Sequence, residues 1–188
     1  MKELNIRHKV PAERKDLEEE QVFSTNYLIL DAALWDVEIE SAFNFGNKYC
    51  CLFATRGVDH ELNAVAPYLF EYEDSDELCK WVKYKETKGM RALYLSSIYT
   101  SEQLRKHLRR FLRVKKEDGG WLFLRLYDPY VLNCVLPNLT QEQIEEFLTP
   151  IEHVTTEDRR INERRIFNLS SNKELNIDRQ TIDYVDNK

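Results

Sequence analysis

Glycine is scarce in this chain, with only five glycines in 188 residues. A phosphate-binding loop, a dinucleotide-binding turn and a Gly-x-Ser-x-Gly nucleophile elbow each need glycines at fixed spacing, and none of these patterns occurs. The four histidines stand far apart in the sequence and form no His-Glu-x-x-His motif. The sequence therefore predicts that the protein is not an enzyme and that it needs no cofactor.

Cysteine is also rare. The four cysteines, Cys50, Cys51, Cys79 and Cys134, show no Cys-x-x-Cys spacing, so they indicate neither a disulfide framework nor a zinc site. Cys50 and Cys51 are adjacent in an apolar segment and should point to opposite faces of a strand. We expect all four to be free thiols that pack as small apolar groups, and we expect no metal site.

Long apolar runs and an excess of positive charge are absent as well. No run approaches the ~20 apolar residues of a membrane-spanning helix, and the charged segment 1–20 lacks the apolar region of a signal peptide. The net charge is −6, which disfavours general binding to nucleic acid. The sequence predicts a cytoplasmic protein that binds no membrane and no nucleic acid.

The basic segment that begins at Thr100 is the most informative part of the chain. Thr100 and Gln103 have the spacing of a capping box. Apolar and basic residues then recur at helical spacing, which predicts an amphipathic helix that continues as far as the turn Asp118-Gly119-Gly120. The apolar stripe comprises Leu104, Leu108, Phe111 and Leu112, and the basic residues are Arg105, Lys106, Arg109, Arg110 and Arg113.

A nearly apolar segment, 121–127, follows this turn and predicts a strand that is covered on both faces. Arg125 interrupts the segment, and a buried arginine must be paired because an isolated buried charge is strongly unfavourable. Asp31 and Asp128, each at the end of a predicted strand, are candidate partners. Asp128-Pro129 also has the composition of a helix start. These charged residues form either an internal ion-pair network or the floor of a partner-binding groove.

Extended and helical segments alternate along the chain, which predicts an α/β (α+β) domain with helices packed on a short mixed sheet. We divide the chain into a charged N-terminal lead-in at 1–25, an α/β domain at 26–151 and a C-terminal segment at 152–188. The last segment is charged and rich in Asn and Asp. It forms either a hairpin or a mobile arm that orders on a partner.

Six short segments occur in a characteristic order. They are YLILDAA at 27–33, YCCLF at 49–53, VAPYLF at 65–70, LRKHLRRFLRV at 104–114, WLFLRLYDPYVL at 121–132 and FLTPI at 147–151. Together they resemble the type VI secretion adaptor family, whose members are effector chaperones. The chain departs from the family pattern at Ala32, where glycine is usual, and at Tyr130, where arginine is common.

The resemblance implies a mixed α/β domain and a non-enzymatic adaptor. Such an adaptor binds a cognate secreted effector protein and helps to load it onto the spike protein of the secretion system. We predict that partner binding involves the basic helix and the end of the strand that follows it. The predicted residues are Arg105, Arg109, Arg110, Arg113, Arg125, Tyr127, Asp128 and Tyr130.

Two other functions remain open at the level of sequence. A small enzyme could use the carboxylates of Asp31 and Asp128, with Arg125 binding an anionic substrate. This function requires the three groups to converge on an open pocket. A nucleic-acid-binding regulator could instead use the basic segment 105–116, and its binding to random duplex DNA would weaken as salt is added.

Overall fold

The structure, a computed structural model, describes residues 24–53, 63–115 and 118–182. Most of the predicted N-terminal lead-in lies outside the described residues. The described strands are β1 (Thr25–Asp31), β2 (Tyr49–Cys51), β3 (Pro67–Tyr72), β4 (Leu93–Ser97), β5 (Arg113–Lys115), β6 (Trp121–Phe123), β7 (Ile151–Asp158), β8 (Glu163–Leu169) and β9 (Leu175–Thr181). The described α-helices are α1 (Ala32–Trp35), α2 (Glu38–Phe43), α3 (Glu77–Glu86), α4 (Ser101–Arg109), α5 (Pro129–Val135) and α6 (Gln141–Leu148).

Seven of these strands form one sheet in the order β2-β3-β1-β4-β7-β8-β9. The α+β class is confirmed, and the described sheet is antiparallel throughout rather than mixed. Alternation of strands and helices often indicates parallel β-α-β units. Here α3 connects β3 to β4, but β1 lies between these two strands and pairs antiparallel with both. The sequence pattern does not show that β1 is inserted between β3 and β4. This is why it predicted a mixed sheet and not an antiparallel one.

Two separate clusters of apolar residues bury the two faces of the sheet. Along β1, Tyr27 and Ile29 belong to one cluster and Leu28 and Leu30 to the other, as the alternation of side chains along a strand requires. The first cluster includes residues of α4, α5 and α6, and the second includes residues of α1, α2 and α3. The sheet therefore separates two apolar cores.

The helix starts that were predicted from capping residues are confirmed. Thr100 and Gln103 form a reciprocal capping box at the start of α4. Asp128 caps α5 because its carboxylate accepts a hydrogen bond from the Tyr130 N–H at 2.8 Å, and Pro129 is the first helical residue. Each such cap typically contributes about 1 kcal/mol, so the caps fix the points at which both helices begin.

The basic helix ends earlier than predicted. It stops at Arg109, and the N–H groups of Phe111 and Leu112 then donate to the carbonyls of Leu108 and Arg109 in tight turns. Both side chains still pack in the first apolar cluster. Arg113 enters β5 and does not continue the helical column of arginines. The turns preserve the apolar spacing, which is why the periodicity extended the predicted helix too far.

The strand predicted at 121–127 also differs in the structure. Only Trp121–Phe123 is a strand, and it pairs with β5 in a two-stranded hairpin. Leu122 and Phe123 are 51% and 60% exposed, so the prediction that both faces are covered is wrong. An apolar run usually indicates burial, but here it forms an exposed ribbon beside the main sheet. Packing in the core therefore accounts for Leu126 and Tyr127 but not for the hydrophobicity of Leu122 and Phe123.

The charged C-terminal segment extends the main sheet. Strand β7 pairs with β4, and β8 and β9 form a hairpin around residues 170–174. Val154 and Phe167 are fully buried in the first apolar cluster. As far as residue 182, the C-terminal segment therefore has the hairpin form and shares the core of the domain.

The cysteines are free, and their burial differs from one to another. Cys79 is buried, Cys50 and Cys51 are partly buried, and Cys134 is exposed. The expectation that the thiols pack as apolar groups is confirmed for Cys79 and wrong for Cys134. Burial raises the pKa of the Cys50 and Cys79 thiols, which keeps both groups protonated near neutral pH.

Glu86 is a buried carboxyl group at the end of α3. It is 5% exposed, and it accepts hydrogen bonds from the Tyr94 hydroxyl at 2.8 Å and from the Ala92 N–H at 3.3 Å. Burial, with a smaller contribution from the nearby Glu157 carboxylate, raises the pKa of Glu86 to about 8. The folded state therefore binds the Glu86 proton more tightly than the unfolded state does.

We expect the free energy of unfolding to fall as the pH rises from about 5 to about 8. A raised folded-state pKa contributes stability that is complete below the unfolded pKa and is lost as the pH passes the folded one. At about 1.4 kcal/mol per pKa unit, a pKa raised from the ordinary 4.5 to about 8 corresponds to a loss of roughly 4–5 kcal/mol. Urea denaturation at a series of pH values measures it. The control is the Glu86→Gln variant, whose free energy of unfolding should depend less on pH. If it falls as steeply as that of the wild type, other groups cause the pH dependence.

Candidate functional site

A groove with a volume of about 730 Å³ opens beside the β5–β6 hairpin. The end of β2, the end of α4 and the segment 123–127 contribute its walls. Its larger apolar side chains are Leu52, Phe53, Val65, Leu112, Phe123 and Tyr127. Its charged side chains are Arg109, Arg113 and Arg125. We refer to this site, defined by these residues, as the arginine groove.

Aromatic rings form much of the floor of the arginine groove. Phe53 lies between Phe123 and Tyr127, with ring centroids 5.6 and 6.3 Å away. Burial and the nearby Asp31 carboxylate raise the pKa of Tyr127 to about 12, so its hydroxyl stays protonated. Phe123 is largely exposed and Tyr127 is buried. Covering such a floor with a partner is favourable by about 25 cal/mol for each Å² of apolar area removed from water.

Three arginines surround this floor. Arg109 is the last residue of α4, Arg113 is the first residue of β5, and Arg125 follows β6. The Arg113 guanidinium lies 5.3 Å from the Phe123 ring centroid, and the Arg125 guanidinium lies 5.8 Å from that of Tyr127. Stacking on a ring orients a guanidinium while its N–H groups can still contact an anion. The groove thus combines an apolar floor with positive charge.

Arg125 also forms an ion pair with Asp31, a buried residue at the end of β1. Asp31 accepts a further hydrogen bond from the Ala33 N–H at 3.2 Å and so caps α1. Burial raises the pKa of Asp31, although Arg125 acts in the opposite direction. Asp128 pairs with Arg91 at 3.1 Å. These are two separate ion pairs, and the pairing of Arg125 with Asp31 agrees with the ion-pair alternative that the sequence offered.

The enzyme alternative required Asp31 and Asp128 to converge with Arg125 on an open pocket. Among the described residues, the lining of the arginine groove includes neither carboxylate. Each carboxylate instead caps a helix and contacts an arginine. Such an arrangement does not supply the accessible acid and base that this chemistry needs. Within 24–53, 63–115 and 118–182, no group of three or more His, Cys, Asp or Glu residues could hold a metal ion.

Tyr130, at the start of α5, lies outside the arginine groove. The guanidinium groups of Arg91 and Arg160 both contact its ring, 4.3 and 3.8 Å from the ring centroid. Arg160 donates hydrogen bonds to both carboxylate oxygens of Asp158, and these bonds lower the pKa of Asp158. Tyr130 therefore joins the start of α5 to the end of β7, which is a structural contact.

Two further basic residues of this segment have carboxylates as neighbours. Arg110, directly after the helix, pairs with Glu146 on α6. Lys106 pairs with Glu102 one turn earlier at 2.9 Å. A nucleic-acid-binding face would need these cations for phosphate groups, and carboxylates beside them repel phosphate. The geometry of α4 therefore gives little support to the regulator alternative.

The structure brings half of the predicted site residues together. Those in the groove are Arg109, Arg113, Arg125 and Tyr127, and those elsewhere are Arg105, Arg110, Asp128 and Tyr130. The prediction missed the apolar floor, above all Phe53 and Phe123. A signal for Phe123 was present, because residues 123, 125 and 127 share one face of an extended segment. Phe53 comes from a distant segment, and no local pattern connects it to the others.

A sequence profile for a domain of unknown function, DUF4123, matches residues 26–146. The match covers well over half of the chain. The chain belongs to the DUF4123 family. This family is associated with effector adaptors of type VI secretion, which agrees at that level with the resemblance of the six short segments. No curated protein and no solved structure matches the chain.

The DUF4123 match contains every residue of the arginine groove, since these residues fall between 33 and 127. The groove therefore lies within the extent of the family model and not in the C-terminal strands that follow it. As for membranes, none of the helices in the described ranges has the length and apolar character that a bilayer-spanning segment needs.

Proposed function

We propose that this DUF4123 protein is a cytoplasmic, non-enzymatic adaptor. It binds a secreted effector protein in the arginine groove and helps to load that effector onto the spike protein of a type VI secretion system. The observation that carries the proposal is an open apolar floor, surrounded by Arg109, Arg113 and Arg125, on a chain whose family is associated with effector adaptors.

The size and composition of the groove support a polypeptide ligand. Its volume of about 730 Å³, within the roughly 300–1,000 Å³ of small-molecule pockets, is enough for a few side chains of a polypeptide. Arginine and aromatic side chains contribute most of the binding energy at many protein interfaces. Phe123 is exposed, and Arg113 is stacked on it, so these two residues form the centre of the proposed interface. A partner with apolar side chains flanked by carboxylates would complement both.

Deletion of this protein is expected to stop secretion of its cognate effector and to leave other type VI substrates unchanged. An adaptor acts on one cargo, whereas a component of the secretion machinery acts on all of them. Quantitative mass spectrometry of the secreted proteins, in the deletion strain and in a complemented strain, measures this difference. Affinity purification of the tagged protein should also recover the effector. Unchanged secretion of every type VI substrate would overturn the proposal.

A further inference from the structure

The β5–β6 hairpin separates the arginine groove from a second groove. This second groove has a volume of about 360 Å³. Val114 of β5 and the residues Leu124 and Leu126 beyond β6 form one wall, and Leu139 and Gln143 near the start of α6 form another. We refer to it as the α6 groove. The hairpin therefore has a binding-sized depression on either side.

Side chains alternate between the two grooves along the segment that contains β6. Phe123, Arg125 and Tyr127 line the arginine groove, whereas Leu124 and Leu126 line the α6 groove. Successive side chains of an extended chain point to opposite faces. The two grooves therefore lie on opposite faces of the ribbon, and a chain that ran beside it would meet both.

The hairpin exposes apolar side chains on both of its faces. Val114 and Leu122 lie opposite each other in register and are 43% and 51% exposed. Phe123, on the other face, is 60% exposed. Among the described residues the hairpin has only two strands, and a two-stranded ribbon is marginally stable in water. Exposed apolar surface of this kind, on a ribbon that has no third strand in the described part of the chain, is typical of a site of association.

We infer that an extended segment of the effector adds to an edge of the β5–β6 hairpin as a third strand and places alternate side chains in the two grooves. This inference rests on the proposed adaptor function and specifies the form of the bound segment. In strand addition, main-chain hydrogen bonds provide affinity, and pockets for alternate side chains provide specificity.

The charge and shape of the grooves define the chemistry of this segment. Its apolar side chains would cover Phe123 and the floor of the arginine groove, and its carboxylates would contact Arg113 and Arg109 at the rim. A helix is about 10 Å wide, so it would occupy one groove and leave the other face of the ribbon exposed. An extended, apolar and acidic segment fits both faces at once.

A random-peptide library displayed on phage and selected against the purified protein tests this inference without knowledge of the effector. We expect the selected peptides to carry apolar residues at i, i+2 and i+4, with acidic residues on that same face, where they would meet Arg109 and Arg113. Phe123→Ser should weaken binding of a selected peptide at least about tenfold. Tyr84→Ser is the matched control, because Tyr84 is 57% exposed on α3, outside both grooves, and it should leave binding nearly unchanged.

Two results of this selection would overturn the inference. One is a set of peptides with the i, i+3, i+4 spacing of a helix, and the other is the absence of peptides that bind the wild-type protein more tightly than the Phe123→Ser variant. If the selection fails but deletion of the protein still stops secretion of the effector, only the inference about strand addition is overturned. The adaptor function would then stand.

N-methylation of a selected peptide separates strand addition from docking of side chains alone. In an added strand, only every second N–H group faces the hairpin. N-methylation should therefore weaken binding at alternate positions, by at least about tenfold, and should have little effect at the positions between them. A response that is uniform along the peptide would contradict strand addition.

Discussion

Replacement of Leu108 by aspartate is expected to prevent the chain from folding. Leu108 is buried in the first apolar cluster, one turn after Leu104 on α4. Loss of a buried leucine side chain typically costs about 2–5 kcal/mol. A carboxylate placed in an apolar core without a partner costs several kcal/mol more. Together these effects are comparable with the entire stability of a domain, which is about 5–15 kcal/mol.

Circular dichroism and thermal denaturation measure this outcome. The Leu108→Asp variant should show no cooperative transition. Lys106→Asp is the control, because Lys106 is exposed on the same helix and the loss of its exposed ion pair with Glu102 typically costs no more than about 1 kcal/mol. A transition close to that of the wild type in Leu108→Asp would show that α4 does not pack on the sheet as described.

The start and the end of α4 show how far the sequence predicts this fold. The capping box of Thr100 and Gln103 and the apolar stripe depend on residues within one or two turns, so local rules were sufficient, and both are confirmed. The end at Arg109 depends on the pairing of β5 with β6, which is a contact between separate segments. Periodicity alone contains no information about that pairing.

The candidate site was predicted only in part for a related reason. Arg109 and Arg113 are close in sequence, and Arg125 and Tyr127 share one face of an extended segment. Phe53, in contrast, reaches the groove only because of the order of strands in the sheet. The exposure of the β6 side chains was missed because apolar runs are usually buried. In this domain the exposed apolar side chains of β6 lie on the surface that we propose for partner binding.

Charge reversal of Arg109 and Arg113 to glutamate is expected to abolish capture of the effector and to leave the fold intact. Both side chains line the arginine groove, and the proposed ligand is acidic. Like charges placed opposite each other at an interface cost several kcal/mol, so affinity should fall by at least about 100-fold. Neither residue belongs to the buried core. Affinity purification of the effector with tagged wild-type and variant protein measures the effect, and circular dichroism verifies the fold.

The matched control reverses two lysines of the α3 region, Lys83 and Lys88, which lie outside both grooves. It changes the net charge by the same amount as the arginine variant, so it separates local repulsion from the effect of overall charge. The control should capture the effector as the wild type does. Equal loss in both variants would assign the effect to net charge, and undiminished capture by both would place the effector on another surface. Arg113→Glu alone changes one residue at the start of an exposed hairpin, so it preserves the test if the double variant does not fold.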